Sequence, residues 1–194
     1  MKIEFKPIQD SDLDAYFDQL NDKTLAVNAG SVPHPITREW AVERLAKSRE
    51  EEAKGHSADR GLYVDGKLAG AASYFHRDHG LEIGYGIHRD HRGKGLATIA
   101  ARLSVQLVRD HRHTGPICAN YFQDNPASGR VLEKVGFIPA GENMGTSMGR
   151  EGPVPSFKTI LEADVALSEV VEQDYTPLFE AQNDEAAHYQ AGGG

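Results

Sequence analysis

The chain is poor in features that would point to secretion, membrane insertion or nucleic-acid binding. Its 194 residues contain one cysteine, Cys118, so no internal disulfide can form. No apolar run approaches the roughly 18 residues of a membrane-crossing helix, and the opening MKIEFKPIQD lacks the apolar core of a secretion signal. A cytoplasmic location is therefore expected. Positive charge is also scarce, with a net charge of −8 and a pI near 5.6. That balance argues against nucleic acid as a bulk partner, which would favour a basic face. The G-x-x-x-x-G-K-[ST] phosphate loop is missing, and so is a full dinucleotide fingerprint, because Thr98 stands where its last glycine or alanine would be. The pairs His76/His79 and His88/His91 have metal-like spacing. No cysteine or carboxylate set completes them, so no metal is expected. Cys118 lies in an apolar run, where buried packing is the better reading than a nucleophile.

What is present suits a compact enzyme domain. Hydrophobic residues make up 39% and charged residues 26%, and the length can bury one core. Residues 3–8 read as a strand. Asp10 or Ser11 then caps a short helix with Leu13, Tyr16, Phe17 and Leu20 on its inner side. A flexible loop with two prolines follows, and Thr37 opens a helix to about Lys54 whose Glu50–Glu52 run faces solvent. Residues 61–64 and 68–75 form a hairpin around Asp65-Gly66. A strand at 81–87, a helix at 95–112, a strand at 116–121 and a helix capped by Asn125 come next. Strands at 137–140, extending toward 148, and at 156–161 complete the domain, placed at residues 1–162. Residues 163–194 read as an acidic, partly helical tail (163–171 and 177–189), solvated, with a packing arm over a partner subunit or the substrate cleft as the alternative. A homodimer is compatible with this reading.

The densest chemistry lies at His88–Ala97, where a strand meets a helix across a basic, glycine-rich turn. The first N–H groups of a helix lack intrahelical partners and carry the positive dipole end, so an anion fits there. Gly93 and Gly95 have no side chains to hold phosphate oxygens off the backbone. The physics points to a phosphate-bearing ligand without naming it. Within the preceding strand, Leu81, Ile83, Tyr85 and Ile87 share one face, while Glu82, Gly84 and Gly86 share the other. Glycines there either avoid a crowding neighbour or leave room for a ligand arm along the backbone.

Arg92, Gly95 and Ala97 resemble the Arg/Gln-x-x-Gly-x-Gly/Ala signature of the GNAT superfamily of N-acetyltransferases. Asn125–Phe137 resembles the N-x-A-S…LEKxGF segment of its RimJ/RimL-like branch, and Val32–Thr37 resembles that branch's V-P-x-P-x-T segment. The Asn125 segment is locally consistent, with Asn125 a good N-cap, Pro126 suited to the first helical position and Gly136 a helix terminator.

The resemblance implies an α/β (α+β) GNAT fold, with a central mixed, mostly antiparallel sheet flanked by helices. It implies acetyl-CoA as donor and direct transfer to a primary amine. The acceptor it favours is a protein N-terminal α-amine. A small amine (polyamine, amino acid or aminoglycoside) is the rival acceptor, and a non-catalytic acyl-CoA-binding module is the rival class. The cofactor would be held by Arg92, Gly93, Lys94, Gly95, Leu96 and Ala97 at the diphosphate, by the backbone at Tyr85, Gly86 and Ile87, and by Asn125 at the pantetheine amides. Glu82 is the candidate base, either catalytic or simply ion-paired, with His88 second unless it is loop surface. Leu132 stands where many members carry a tyrosine acid. The branch has serine one turn earlier, so Ser128 is assigned to the leaving thiol, with a plain helix-start role as its alternative. Arg150 would meet an acceptor carboxylate or lie exposed. An α-amine ionises near pH ~8 and a lysine near ~10.4, so neutral amine at pH 7 is roughly a hundredfold scarcer for lysine.

Overall fold

The computed structural model describes residues 1–77 and 80–162; the tail assigned to 163–194, and His79, lie outside the described residues. Seven strands form one sheet in the order β1-β2-β3-β4-β5-β7-β6. They are β1 (Ile3–Lys6), β2 (Ser57–Val64), β3 (Lys67–Arg77), β4 (Gly80–Ile87), β5 (Ile117–Phe122), β6 (Phe137–Gly145) and β7 (Val154–Leu161). Among the described residues five α-helices accompany them: α1 (Leu13–Leu20), α2 (Lys23–Asn28), α3 (Arg38–Ala53), α4 (Leu96–Asp110) and α5 (Pro126–Val135). Every pairing is antiparallel except β4 with β5. This is the expected mixed, mostly antiparallel sheet with flanking helices.

Local chemistry accounts for most boundaries. Thr37 Oγ1 accepts from the Trp40 N–H (3.2 Å) and starts α3. Asp65 and Gly66 both adopt positive φ, 49° and 78°, the conformation that a tight two-residue hairpin turn requires. Asn125 Oδ1 accepts from the Ser128 N–H (3.3 Å), Pro126 takes the first position of α5, and Gly136 ends that helix at φ 98°. The inner face of α4, with Leu96, Ile99, Ala100, Ala101, Val105 and Val108 all buried, packs on β3 and β4. A second cluster holds α1 and α3 against Tyr63 and Leu68.

Some expectations need correction. β1 stops at Lys6, and Ile8 beyond it is buried by side-chain packing rather than strand pairing. Neither Asp10 nor Ser11 caps α1: a 3₁₀ turn at Asp10–Asp12 leads into it, and the Asp12 carboxylate accepts from the Gln9 N–H (2.9 Å) and the Tyr63 hydroxyl (2.6 Å). β2 begins at Ser57, four residues before the expected start. The stretch expected to be loop contains α2, whose N-cap is Asp22, accepting from the Thr24 N–H (2.7 Å). Six residues are too few for a clear helical period, so tertiary contacts decide this element. Glu52 is not simply solvated, since it holds the Arg60 guanidinium at 2.5 and 2.8 Å.

Candidate active site

The sheet opens in its middle. β4 and β5 pair only at Leu81↔Ile117 and Glu82↔Cys118, although β4 continues to Ile87 and β5 to Phe122. From Cys118 onward β5 is paired with β7 on its other side. A gap therefore separates the C-terminal half of β4 from β5. Leu81 donates its N–H toward the β5 side, to the Pro116 carbonyl (3.1 Å), and His88 donates to the opposite side, to Ala69 (2.8 Å). N–H direction alternates along a strand, so Tyr85 and Ile87 turn theirs toward the gap.

The end of β4 leads into the glycine turn. Gly93 and Gly95 have φ of 73° and 77°, in the left-handed region where glycine carries no penalty. Gly95 is the N-cap of α4, and its carbonyl accepts from Thr98 (3.0 Å) and Ile99 (3.3 Å). The N–H groups of Leu96 and Ala97 precede the first turn's own ladder, and no acid lies in that turn. The space beside Gly93 is open. Lys94 reaches only the Asp90 carbonyl (3.1 Å) and stays exposed. This backbone suits an anion.

The Arg92 side chain is engaged within the protein. Its Nε donates to the Ile87 carbonyl (3.1 Å) and its NH2 to Asp22 Oδ2 (2.5 Å), so it braces the turn against α2. His88 is not loop surface: it is 8% exposed. Its Nδ1 accepts from the Asp90 N–H (3.2 Å) and its Nε2 faces Asp18 Oδ2 (2.8 Å). Asp18 is also held by Arg89 at 2.7 Å through both oxygens. With both ring nitrogens engaged, His88 is a lock between α1 and the turn. The Asp18 carboxyl sits below its usual pKa range, first through Arg89 and then through His88.

The glycine face of β4 is covered at Gly86. A Cβ there would lie 2.8 Å from Leu25 Cδ1, and the Gly86 carbonyl accepts from Gln19 Nε2 (3.2 Å). At Gly86 glycine thus avoids a crowding neighbour, and the open approach to β4 is its edge at the gap. Gln19 is 2% exposed, and its Oε1 has no hydrogen-bond partner among the described residues. A buried acceptor of this kind calls for a donor.

Ser128 and Tyr85 form a pair that was not foreseen. The Tyr85 ring crosses from β4 to α5, and its hydroxyl lies 3.0 Å from Ser128 Oγ and 3.3 Å from the Ser128 carbonyl. Burial pushes the phenol well above its ordinary pKa, although the Ser128 contact partly lowers it, so the phenol stays protonated at neutral pH and keeps a hydrogen to share with Ser128. Glu82 does not join this pair. It projects from the opposite face of β4, accepts from Asn120 Nδ2 (3.1 Å) and lies 3.8 Å from Arg77 Nε. Beside it, Cys118 is half-buried, and burial raises its thiol pKa, with the Glu82 charge adding to the effect. Leu132, 1% exposed, is purely core.

A cleft of about 400 Å³ lies beyond the start of α5, lined by Lys23, His34, Met148, Gly149, Arg150 and Glu151. Arg150 is neither exposed nor waiting for a ligand. It grips both oxygens of Asp124 at 2.8 Å, donates through Nε to the Val27 carbonyl (2.8 Å) and stacks over Phe122 at 4.4 Å. Through Asp124, which directly precedes the Asn125 cap, the Arg150 wall of the cleft is tied to the segment that starts α5. No group of three potential metal ligands occurs among the described residues, and no described helix is long and apolar enough to cross a membrane.

Residues 2–138 match the family model described as "Acetyltransferase (GNAT) domain". The chain belongs to the GNAT acetyltransferases. The GNAT chain is 32% identical over 111 residues to Probable N-acetyltransferase YjcK of Bacillus subtilis (strain 168), covering 54% of the chain and 61% of that relative. The fold is similar to that of Mycobacterium smegmatis RimJ in complex with CoA-disulfide, at TM-score 0.70 and 18% identity over 84% of this chain and 82% of that one. It is equally similar to ribosomal-protein-S5-alanine acetyltransferase from Vibrio fischeri, at TM-score 0.70 and 22% identity over 86% and 97%. Within this GNAT domain, sequence reading missed the Tyr85 side chain, Gln19 and Asp22. Only the aromatic residue at 85, in a strand that is aliphatic and glycine apart from Glu82, offered a signal.

Proposed function

We propose that this GNAT domain transfers the acetyl group of acetyl-CoA to a protein N-terminal α-amine. The observation that carries the reading is the gap between β4 and β5, with an acid-free helix N-terminus at its mouth and the Tyr85–Ser128 pair on its wall. Acetyl-CoA supplies an activated thioester. The N–H groups of Leu96 and Ala97, with the turn at Gly93–Gly95, hold a diphosphate. The Tyr85 or Ile87 N–H polarises the thioester carbonyl from the open strand edge. The amine nitrogen bonds to the carbonyl carbon, the C–S bond breaks, and the thiolate takes a proton from Ser128 Oγ as Tyr85 passes its own to the serine; the phenol then regains a proton from water, to which the amine's proton is finally released. Asn125 braces this arrangement by capping α5.

Among the described residues, His88 and Glu82 are poorly placed to act as a direct base. His88 has both nitrogens engaged, and Glu82 faces away from Ser128. An acceptor that is already partly neutral at pH 7 suits such a site, which favours an α-amine over a lysine. Glu82 then serves through water, taking the proton as it leaves the amine. The cleft at Lys23 and Glu151 is open to solvent-borne chain ends, and the Vibrio fischeri neighbour is named for acting on a ribosomal protein. CoA release measured across N-terminal peptides, polyamines, amino acids and aminoglycosides tests the reading. Turnover should be concentrated on peptides with a free N-terminus. Turnover confined to small amines would refute the acceptor class, and none on any amine would refute the enzyme.

A further inference from the structure

We propose that Asp22 is a positioning residue that couples the donor turn to the acceptor cleft through α2. The carboxylate is 9% exposed and divides its oxygens between two tasks. Oδ1 caps α2 by accepting from the Thr24 N–H (2.7 Å), while Oδ2 accepts from the Arg92 guanidinium (2.5 Å). Arg92 in turn donates to the Ile87 carbonyl at the end of the gap (3.1 Å). One carboxylate thus ties the first turn of α2 to both the glycine turn and the last residue of β4.

The far end of α2 is tied as firmly to the other side of the site. The Val27 carbonyl accepts from Ser147 Oγ (3.0 Å) and from Arg150 Nε (2.8 Å). Gly149 packs so closely that a Cβ there would lie 2.6 Å from the Ala26 carbonyl carbon. Lys23, Gly149 and Arg150 all line the cleft. The helix has six residues, so it moves as one piece. A shift of Arg92 is therefore transmitted to the cleft wall through Asp22, although Asp22 itself lines neither site.

The coupling rests on reading the glycine turn as the donor site and the cleft as the acceptor site. Asp22→Asn separates the two tasks of this carboxylate, because asparagine is as good an N-cap as aspartate but lacks the charge that holds Arg92. The test is hydrogen exchange with free CoA as the probe, which involves no acceptor. In the wild type, CoA should slow exchange at Gly93–Ala97, at α2 and at Ser147–Arg150, by about fivefold or more at the two remote segments. In Asp22→Asn, protection at Gly93–Ala97 should persist while protection at α2 and Ser147–Arg150 is lost. The double variant Asp22→Asn/Arg92→Gln should lose no more than the single one. In turnover, Asp22→Asn should raise the acceptor KM by about fivefold while kcat at saturation stays within about twofold. Equal protection of α2 by CoA in the variant, or an unchanged acceptor KM, would overturn the proposal. So would loss of CoA binding by Asp22→Asn, which would make Asp22 part of the donor site. Turnover confined to small amines would change the acceptor class and leave the exchange result standing.

Discussion

Tyr85→Phe is the most direct perturbation of the proposed chemistry, because it removes one oxygen and keeps the ring. The hydroxyl makes contacts of 3.0 and 3.3 Å, both to Ser128, so the loss is one neutral hydrogen-bonding group shared between the Ser128 hydroxyl and carbonyl. Such a bond contributes about 1 kcal/mol net, and for a domain of this size that lowers Tm by roughly 2–4 °C. The ring still packs against the core cluster of Leu81, Ile83 and Leu132, so no cavity term adds to this. The kinetic effect should be larger than the thermal one suggests. General acid catalysis is worth about 10²–10⁴ in rate. Ser128→Ala should therefore lower kcat by roughly a hundredfold or more, and Tyr85→Phe by about tenfold, since it leaves the serine in place. The two act on one proton, so the double variant should be no slower than Ser128→Ala. Both deficits should shrink as pH rises past about 8.5, where a thiol of ordinary pKa leaves as thiolate without help. The assay is CoA release on an N-terminal peptide between pH 6.5 and 9.5, alongside thermal melts. Additive losses in the double variant, or a kcat within about twofold of wild type in both single variants, would refute the proton-donor role.

Three further outcomes are expected. Glu82→Gln should lower kcat by roughly tenfold to a thousandfold with CoA affinity near wild type, and rising pH should partly restore it as the acceptor becomes neutral; full activity at pH 7 would assign the proton to water alone. Gly95→Asp should cost several kcal/mol of acetyl-CoA affinity by calorimetry, since it puts a carboxylate at the mouth of α4 and a side chain at φ 77°; unchanged affinity would remove the turn from the site. The acid limb of stability should be governed partly by Asp22 and Asp124. Burial of Asp22 alone would raise its pKa, but Arg92 and the Thr24 and Leu25 N–H groups outweigh it and the net shift is downward; Arg150 lowers Asp124. Carboxyls held low in the folded state contribute stability above the unfolded value near ~3.9, and that contribution is lost as pH falls through the lower folded value. Acid unfolding followed by circular dichroism should therefore show a shallower loss below about pH 4 in Asp22→Asn than in wild type, and identical acid limbs would contradict the assignment.

What the sequence alone determined about this chain is its local grammar. Thr37, Asn125 with Pro126, and Gly136 mark helix ends because each acts on backbone groups within three or four residues. Asp65-Gly66 marks a hairpin because two positive φ values are needed there. The alternation in β4 and the 3.6-residue stripe of α4 give the buried faces for the same short-range reason, and the two glycines between them mark the turn that joins strand to helix. Tertiary structure alone decided what meets across the chain. Asp22 meets Arg92 and Asp18 meets His88 over 70 positions, and Tyr85 meets Ser128 over 43. The α2 helix exists because Arg92, Ser147, Gly149 and Arg150 hold it, not because six residues carry a period. Even the gap beside β4 is a property of the sheet, since β5 pairs with β4 only at Leu81 and Glu82 while its other edge stays paired with β7, from much further along the chain. Backbone propensities act over a few residues, whereas ion pairs, ring contacts and strand partners act over a few ångströms. Only the folded chain converts one kind of neighbourhood into the other.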